Sequence, residues 1–135
     1  MPIHWDPKFE TSDQKIDDQH RKLFDWINKL EAMRDAPEIN KIQFDSAMSF
    51  LSMFTNVHFS YEECVMAVKK CPVADKNREA HGKFLQAFEG YKRRYQTEGP
   101  TKQLLTELCD VASNWIAAHI CRIDVNLRQC AGVGV

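Results

Sequence analysis

The segment HFSYEE, residues 58–63, constrains how the whole chain folds. His58 and Glu62 lie four residues apart, so on a helix both side chains leave the same face. An imidazole and a carboxylate that enter an apolar core together are costly to bury unless something neutralises them. The segment therefore indicates a helix whose inner face contributes to a polar site, and a bound cation is one way to neutralise that site.

Helical periodicity dominates the sequence on both sides of this segment, and strand-like alternation is scarce. Apolar residues recur at intervals of three and four in four stretches separated by short turns. The predicted helices span roughly 15–35, 38–70, 75–97 and 101–122. Pro37 is placed in the first turn of the second helix, and Asp75 and Thr101 are candidate caps of the third and fourth. The pattern predicts an all-α chain: an antiparallel up-down-up-down four-helix bundle with an extended N-terminal segment.

Composition and charge exclude several classes of function. A length of 135 residues suits one domain with its own core, so residues 1–135 are expected to form a single domain. The 18 Lys and Arg nearly balance the 19 Asp and Glu, and no basic stretch is dense enough to predict nucleic-acid binding. The absence of a signal-peptide pattern and of long apolar runs predicts a cytoplasmic protein without a membrane partner. The oligomeric state is left open.

The cysteines are expected to be reduced thiols that mostly pack in the core. Their number is odd, five, and no two of them form a C-x-x-C pair. Cys130, close to a glycine-containing tail, is the candidate for an exposed and oxidisable thiol.

Each of the four apolar stripes contains one histidine. His20 lies early in the first helix and His58 late in the second, while His81 lies early in the third and His119 late in the fourth. In an antiparallel bundle these positions meet at one end. One histidine on an apolar face is usually a satisfied core residue, but four that converge predict a metal site. Asp124 follows His119 by five residues, roughly 140° around an ideal helix, so a loosened or π-type turn is needed to bring it in.

Four motifs carry a resemblance to a known family. The combination of IDDQH, HFSYEE followed by Met66, HGKF and WIAAHICRID resembles the hemerythrin family, in particular the single-domain bacterial hemerythrins. The resemblance runs from HWDPKF to Asp124. It implies a non-haem di-iron site that binds O2, or a related small diatomic or peroxide ligand. The implied cofactor is two iron ions (Fe2+/Fe3+) with a bridging oxo or hydroxo group.

The resemblance also implies roles for individual residues. By position, the metal ligands are His20, His58, Glu62, His81, His119 and Asp124. His20 and His58 match the iron at which O2 binds, the two carboxylates match the bridging ligands, and the other two histidines match the second iron. The oxygen pocket of the family corresponds to Leu23, Phe59, Trp115, Ile116 and Ile120. These apolar side chains would exclude water, and they are equally suited to be ordinary core.

The sequence departs from the family at Asn77. The family places two histidines at i and i+4 on the third helix, and here the first of them is asparagine. An amide oxygen, a water or an open coordination position remain alternatives, and an amide oxygen is a poorer iron ligand than an imidazole. The resulting hypothesis is faster autoxidation and looser metal binding than in relatives with the full ligand set.

Three functions remain open from the sequence. The first is an O2-binding protein for storage, delivery or sensing, which is favoured over an enzyme. The second is a di-iron redox enzyme acting on peroxide or nitric oxide, and the third is an interaction bundle with a vestigial site. The absence of Glu-x-x-His disfavours ferritin-like oxidases, and the absence of His-Glu-x-x-His disfavours zinc hydrolases. His4 is expected at the surface, whereas Asp17 and Asp18 either serve the helix N-terminus or accept a hydrogen bond from a ligand imidazole.

Overall fold

The four predicted helices form an antiparallel bundle in the structure, a computed structural model that describes residues 4–130 except for the side chain of residue 129. The helices are α1 (Gln14–Asp35), α2 (Lys41–Val68), α3 (Ala74–Glu98) and α4 (Lys102–Arg122). Each helix packs against the next, and α4 packs against α1, so the bundle is closed. The described residues contain no strand. The predicted all-α four-helix bundle is confirmed.

Shorter elements precede and follow the bundle. A 3-10 turn, Pro7–Phe9, lies in the N-terminal segment. After α4 the chain forms a second 3-10 turn, Asp124–Asn126, and a last short helix α5 (Leu127–Cys130). Among the described residues, no helix combines the length and apolar character that crossing a membrane requires.

Side-chain caps explain where three of the helices begin. Asp13, Asn40 and Thr101 each accept a hydrogen bond from the backbone N–H three residues on, at the start of α1, α2 and α4. The second helix therefore begins after Asn40, and the predicted place of Pro37 in its first turn is wrong. Asp75 is not a cap either, because α3 begins one residue before it.

The C-terminal segment is held against the α2–α3 turn by a disulfide between Cys71 and Cys130, whose Cα atoms are 5.5 Å apart. The prediction of five reduced cysteines is therefore wrong for this pair, and Cys130 is buried rather than exposed. The two residues are separated by 59 positions, so only the tertiary fold brings them together. Cys64, Cys109 and Cys121 are free thiols.

The N-terminal segment packs along α1, and hydrogen bonds connect it to α1 and to the short C-terminal helix α5. Asp17 accepts hydrogen bonds of 2.9 Å from both the backbone N–H and the hydroxyl of Thr11. The Arg128 guanidinium donates to the carbonyl oxygens of Pro7, Lys8 and Glu10. Asp17 thus serves this segment, and His4 is exposed, as predicted.

The apolar core fills most of the bundle and leaves the polar residues at one end. Its largest cluster includes Leu30, Phe44 and Leu105, all of which are completely buried. A smaller cluster around Ile16 and Met66 covers the opposite side of the polar end, where the C-terminal segment packs. The polar end therefore lies between these two apolar clusters.

Candidate metal centre

Four histidines and two carboxylates meet at one end of the bundle. They come from the beginnings of α1 and α3, the ends of α2 and α4, and the 3-10 turn after α4. All six are buried, and none is more than 6% exposed: His20, His58, Glu62, His81, His119 and Asp124. The structure thus brings together all six residues to which the family resemblance assigns a ligand role.

The two oxygens of Glu62 point to imidazoles on opposite sides of the site. Its Oε2 atom lies 3.2 Å from Nε2 of His20 and 3.6 Å from Nε2 of His58. Its Oε1 atom lies 3.1 Å from Nε2 of His81. One carboxylate therefore faces two separate groups of nitrogen donors.

The two oxygens of Asp124 also point to different imidazoles. Its Oδ2 atom lies 3.2 Å from Nε2 of His20, and its Oδ1 atom lies 3.1 Å from Nε2 of His119. The turn that places it differs from the expected π-type turn: α4 ends at Arg122, Ile123 leaves helical geometry with φ −120° and ψ −58°, and a 3-10 turn begins at Asp124. The tighter turn, rather than a loosened one, carries the carboxylate into the bundle.

Two overlapping donor sets result. One contains His20, His58 and Glu62; the other contains Glu62, His81, His119 and Asp124, and the donor atoms within each set lie within 4.8 Å of one another. Because Glu62 belongs to both sets and Asp124 also reaches His20, the geometry suits two cations that share two carboxylates.

The residues present fit a pair of iron ions. Within the described part of the chain, Nε2 of His20, both oxygens of Glu62 and Oδ1 of Asp124 are buried without a hydrogen-bond partner. Buried polar groups without partners cost several kcal/mol, whereas coordination to a cation would satisfy them. Imidazole nitrogens suit iron, and two carboxylates offset part of the charge of two such ions.

Two further residues orient the imidazoles, and the sequence did not predict them. The side-chain oxygen of Gln19 lies 2.6 Å from Nδ1 of His58, and Oε2 of Glu63 lies 3.0 Å from Nδ1 of His81. Because these oxygens accept, each Nδ1 donates a proton and each Nε2 keeps its lone pair for the centre of the site. The available signal was position in the chain, since Gln19 precedes His20 and Glu63 follows Glu62.

Asn77 lies inside the site, completely buried. Its Oδ1 atom is 2.7 Å from Nε2 of His119, which in turn lies 3.1 Å from Nε2 of His81. The amide nitrogen Nδ2 has no hydrogen-bond partner among the described residues. The amide oxygen thus faces the same space as the two imidazole nitrogens.

A small cavity of about 10 Å³ adjoins the donors. All five apolar residues predicted for the oxygen pocket contribute to its wall: Leu23, Phe59, Trp115, Ile116 and Ile120. Phe59 stacks on His81 with ring centroids 3.8 Å apart, and Trp115 stacks on His119 at 4.4 Å. These two rings therefore also fix the orientation of imidazoles in the second donor set.

Thr55 is a cavity residue that the predicted pocket omits. It precedes His58 by three residues, so the helical period places both on one face. Its hydroxyl donates a 2.6 Å hydrogen bond to the carbonyl oxygen of Leu51. With the proton held by the backbone, the hydroxyl adds little polarity to the cavity.

Burial and the carboxylates move the pKa values of the site in opposite directions. Burial lowers the pKa of His20, but the close contacts with the carboxylates of Asp124 and Glu62 and their negative charge outweigh it and raise the pKa to about 9. Burial lowers the pKa of His58 to about 3, and the charge of Glu62 offsets this only in part. Burial raises the pKa of Asp124, yet contacts with His119 and His20 bring it below its usual value. The carboxylates thus favour positive charge at the centre of the site, as a cation would supply.

Comparisons with known proteins agree with this geometry. The family described as "Hemerythrin HHE cation binding domain" matches residues 11–129. A "Hemerythrin-like protein" of Naegleria gruberi is 33% identical over 91 residues, which is 67% of this chain and 70% of the relative. A "Myohemerythrin" of Sipunculus nudus is 28% identical over 127 residues, 94% of this chain and 92% of the relative. A "Bacteriohemerythrin" of Clostridium acetobutylicum is 27% identical over 124 residues, 89% and 94% respectively.

Proposed function

The chain belongs to the hemerythrin family, whose members bind O2 at a di-iron centre, and from this premise we propose that it is an O2-binding protein serving storage, delivery or sensing. One observation carries the proposal: Glu62 and Asp124 each direct one oxygen to each of two groups of imidazoles. A single structural cation would not require either carboxylate to be divided in this way.

These contacts support the ligand assignment that the family resemblance implies. In the proposal, His20 and His58 would hold one iron and His81 and His119 the other, and Glu62 and Asp124 would each supply a carboxylate to both. When bound, the ions supply a redox centre that can exchange electrons reversibly with O2. The chain itself orients the nitrogen donors, holds the Nδ1 atoms of His58 and His81 against Gln19 and Glu63, and excludes water from the cavity.

The apolar wall of the cavity supports a carrier. Leu23, Ile116 and Ile120 are at most 4% exposed, so they separate the donors from bulk water. A dry surrounding disfavours the proton-assisted loss of reduced oxygen species, and it therefore favours reversible binding over turnover. The alternative of a redox enzyme acting on peroxide or nitric oxide is not favoured by the comparisons.

The finer proposal concerns Asn77. We assign its amide oxygen to the position of the missing histidine, on the grounds of its burial and its 2.7 Å distance from Nε2 of His119. An amide oxygen donates less electron density than an imidazole, so the iron held by His81 and His119 is bound more loosely. Faster autoxidation than in relatives with three imidazoles at this iron is the expected result.

The proposal is tested by iron content and visible spectra. The protein is loaded anaerobically with ferrous iron, and its absorption is recorded before air, after air and after the oxygen is removed under vacuum. Two iron ions per chain and a colour that forms in air and disappears under vacuum are expected. Fewer than two ions, or a colour that forms once and does not reverse, contradicts an oxygen carrier.

The cellular location is part of the proposal as well. We propose a cytoplasmic location, as expected in the sequence analysis, whereas the Cys71–Cys130 disulfide is a feature that favours an oxidising environment. Fractionation of the cells that make the protein, with thiol labelling of Cys71 and Cys130 before lysis, distinguishes the two environments.

A further inference from the structure

The two sides of the candidate iron centre differ in the groups that hold their imidazoles. On the first side, Nδ1 of His58 donates to the neutral amide of Gln19. On the second side, Nδ1 of His81 donates to the carboxylate of Glu63. The two acceptors have nearly the same length and geometry, and they differ by one unit of charge.

Each acceptor is the sequence neighbour of a residue that belongs to the candidate site. Gln19 is adjacent to His20 on α1 and reaches across to α2, while Glu63 is adjacent to Glu62 on α2 and reaches across to α3. Successive helical residues point about 100° apart, so one of each pair faces the core and the other faces the groove between two helices. Each acceptor therefore orients a histidine on the neighbouring helix.

We propose that Gln19 and Glu63 are positioning residues that make the two iron positions chemically unequal, and that Glu63 compensates for the weak donor Asn77 on its side. This inference rests on the proposed di-iron function. It is based on an asymmetry between the two sides. The anionic acceptor, Glu63, lies on the side where Asn77 stands in place of an imidazole, and the neutral acceptor, Gln19, lies on the other side.

The physical consequence is a difference in donor strength. A carboxylate that accepts the Nδ1 proton draws that proton away from the ring and makes Nε2 a stronger donor, whereas a neutral amide does so less. A stronger donor stabilises ferric iron more than ferrous iron. Glu63 therefore lowers the reduction potential of the iron held by His81 and slows its release.

The charge of Glu63 acts where solvent screens it only in part. Its side chain is 29% exposed, while the imidazole it contacts is 1% exposed. A second carboxylate in contact with this imidazole is Glu62, whose Oε1 atom lies 3.1 Å from Nε2, and Asp124 belongs to the same donor set. The ring is thus held between two carboxylates, one on each nitrogen, and removal of either changes its donor strength.

The test exchanges the charges without removing the acceptors. Glu63→Gln and Gln19→Glu are prepared with a matched control, Glu79→Gln, which removes the same charge from an exposed residue of α3 that pairs with Lys83. Each protein is loaded with ferrous iron. The midpoint potentials of the two one-electron steps and the rate of iron release to a ferrous chelator are measured, and circular dichroism verifies the fold.

We expect Glu63→Gln to raise one of the two potentials by about 59 mV, which corresponds to a tenfold change in the ferric-to-ferrous affinity ratio. Release of one of the two ions becomes about tenfold faster. Gln19→Glu shifts a potential in the opposite direction, and the control shifts neither. Opposite shifts distinguish donor strength from structural damage, which would loosen the iron in both variants.

Two results overturn the inference. If the wild-type protein binds two ions and all three variants have its potentials and release rates, Glu63 and Gln19 do not tune the centre, although the proposed function stands. If both variants release iron faster and their potentials move in the same direction, the two residues act only through the stability of the fold.

Discussion

The amide oxygen of Asn77 lies 2.7 Å from Nε2 of His119, within the space that the imidazole of His81 also faces. A histidine at position 77 would present a nitrogen donor to that space. We predict that Asn77→His slows autoxidation of the oxygenated protein by about tenfold, the lower end of the range for changes near a metal ligand. The decay of the oxygenated absorption measures this, with Asn56→His, at an exposed position of α2, as control. An unchanged decay rate contradicts the assignment of Asn77.

Glu62 is the residue that both donor sets share. We predict that Glu62→Gln weakens iron binding by more than the roughly 10–100-fold typical of residues that only orient ligands, because one bridging charge is lost to both ions. Iron per chain after gel filtration measures the effect. Glu107→Gln, which removes a partly exposed charge paired with Arg94, should retain two ions. Equal iron content in the two variants would rule out a bridging role for Glu62.

Iron should stabilise the folded chain, because the donors are assembled only in the folded state. A ligand at 100 times its dissociation constant adds about 2.7 kcal/mol to the free energy of unfolding. We predict a urea midpoint that rises with ferrous iron concentration and returns to its original value when a chelator is added. A midpoint that does not depend on iron would show that the assembled site does not bind it.

The wall of the cavity should control autoxidation separately from stability. Ile120 lines the cavity, while Leu105 is equally buried in the core cluster that contains Leu30 and Phe44. We predict that Ile120→Ala and Leu105→Ala each lower the free energy of unfolding by about 2–5 kcal/mol. Only Ile120→Ala should also speed autoxidation, because it admits water beside the donors. Equal autoxidation rates in the two variants would show that the cavity wall does not protect bound O2.

The Cys71–Cys130 disulfide should contribute strongly to stability. It joins residues 59 positions apart, for which the chain-entropy description gives about 4 kcal/mol. We predict that Cys130→Ser lowers the free energy of unfolding by roughly 2–4 kcal/mol, and that a reductant has no further effect on this variant. Cys121→Ser, at an exposed free thiol, should leave stability unchanged. Identical stability of wild type and Cys130→Ser would contradict a disulfide in solution.

The sequence predicts which residues come together at one end of the bundle where their positions repeat with the helical period. His20, His58, His81 and His119 lie on apolar stripes, so a bundle of antiparallel helices places them at one end. Glu62 follows from the same rule, because it lies one turn after His58. A family resemblance, rather than periodicity, assigns a role to Asp124, since the turn that carries it interrupts the helix.

The features that the sequence does not predict depend on contacts between distant segments. Gln19 and Glu63 each contact an imidazole on a neighbouring helix, and their positions beside His20 and Glu62 do not by themselves identify that partner. The disulfide likewise joins a turn to the C-terminal helix. At the start of α2, Pro37 and Asn40 both suit a helix N-terminus, and the side-chain oxygen of Asn40 determines the outcome by accepting the N–H of Gln43.

The disulfide also divides the polypeptide topologically, into a closed ring of residues 71–130 and an open arm that precedes it. Asn77, His81, His119 and Asp124 belong to the ring, whereas His20, His58 and Glu62 belong to the arm. Each part contains the nitrogen donors of one iron position and contributes a carboxylate to the other iron position. In the proposed centre, metal coordination would therefore be a reciprocal cross-link between arm and ring, which joins two parts of the chain that the disulfide alone leaves separable.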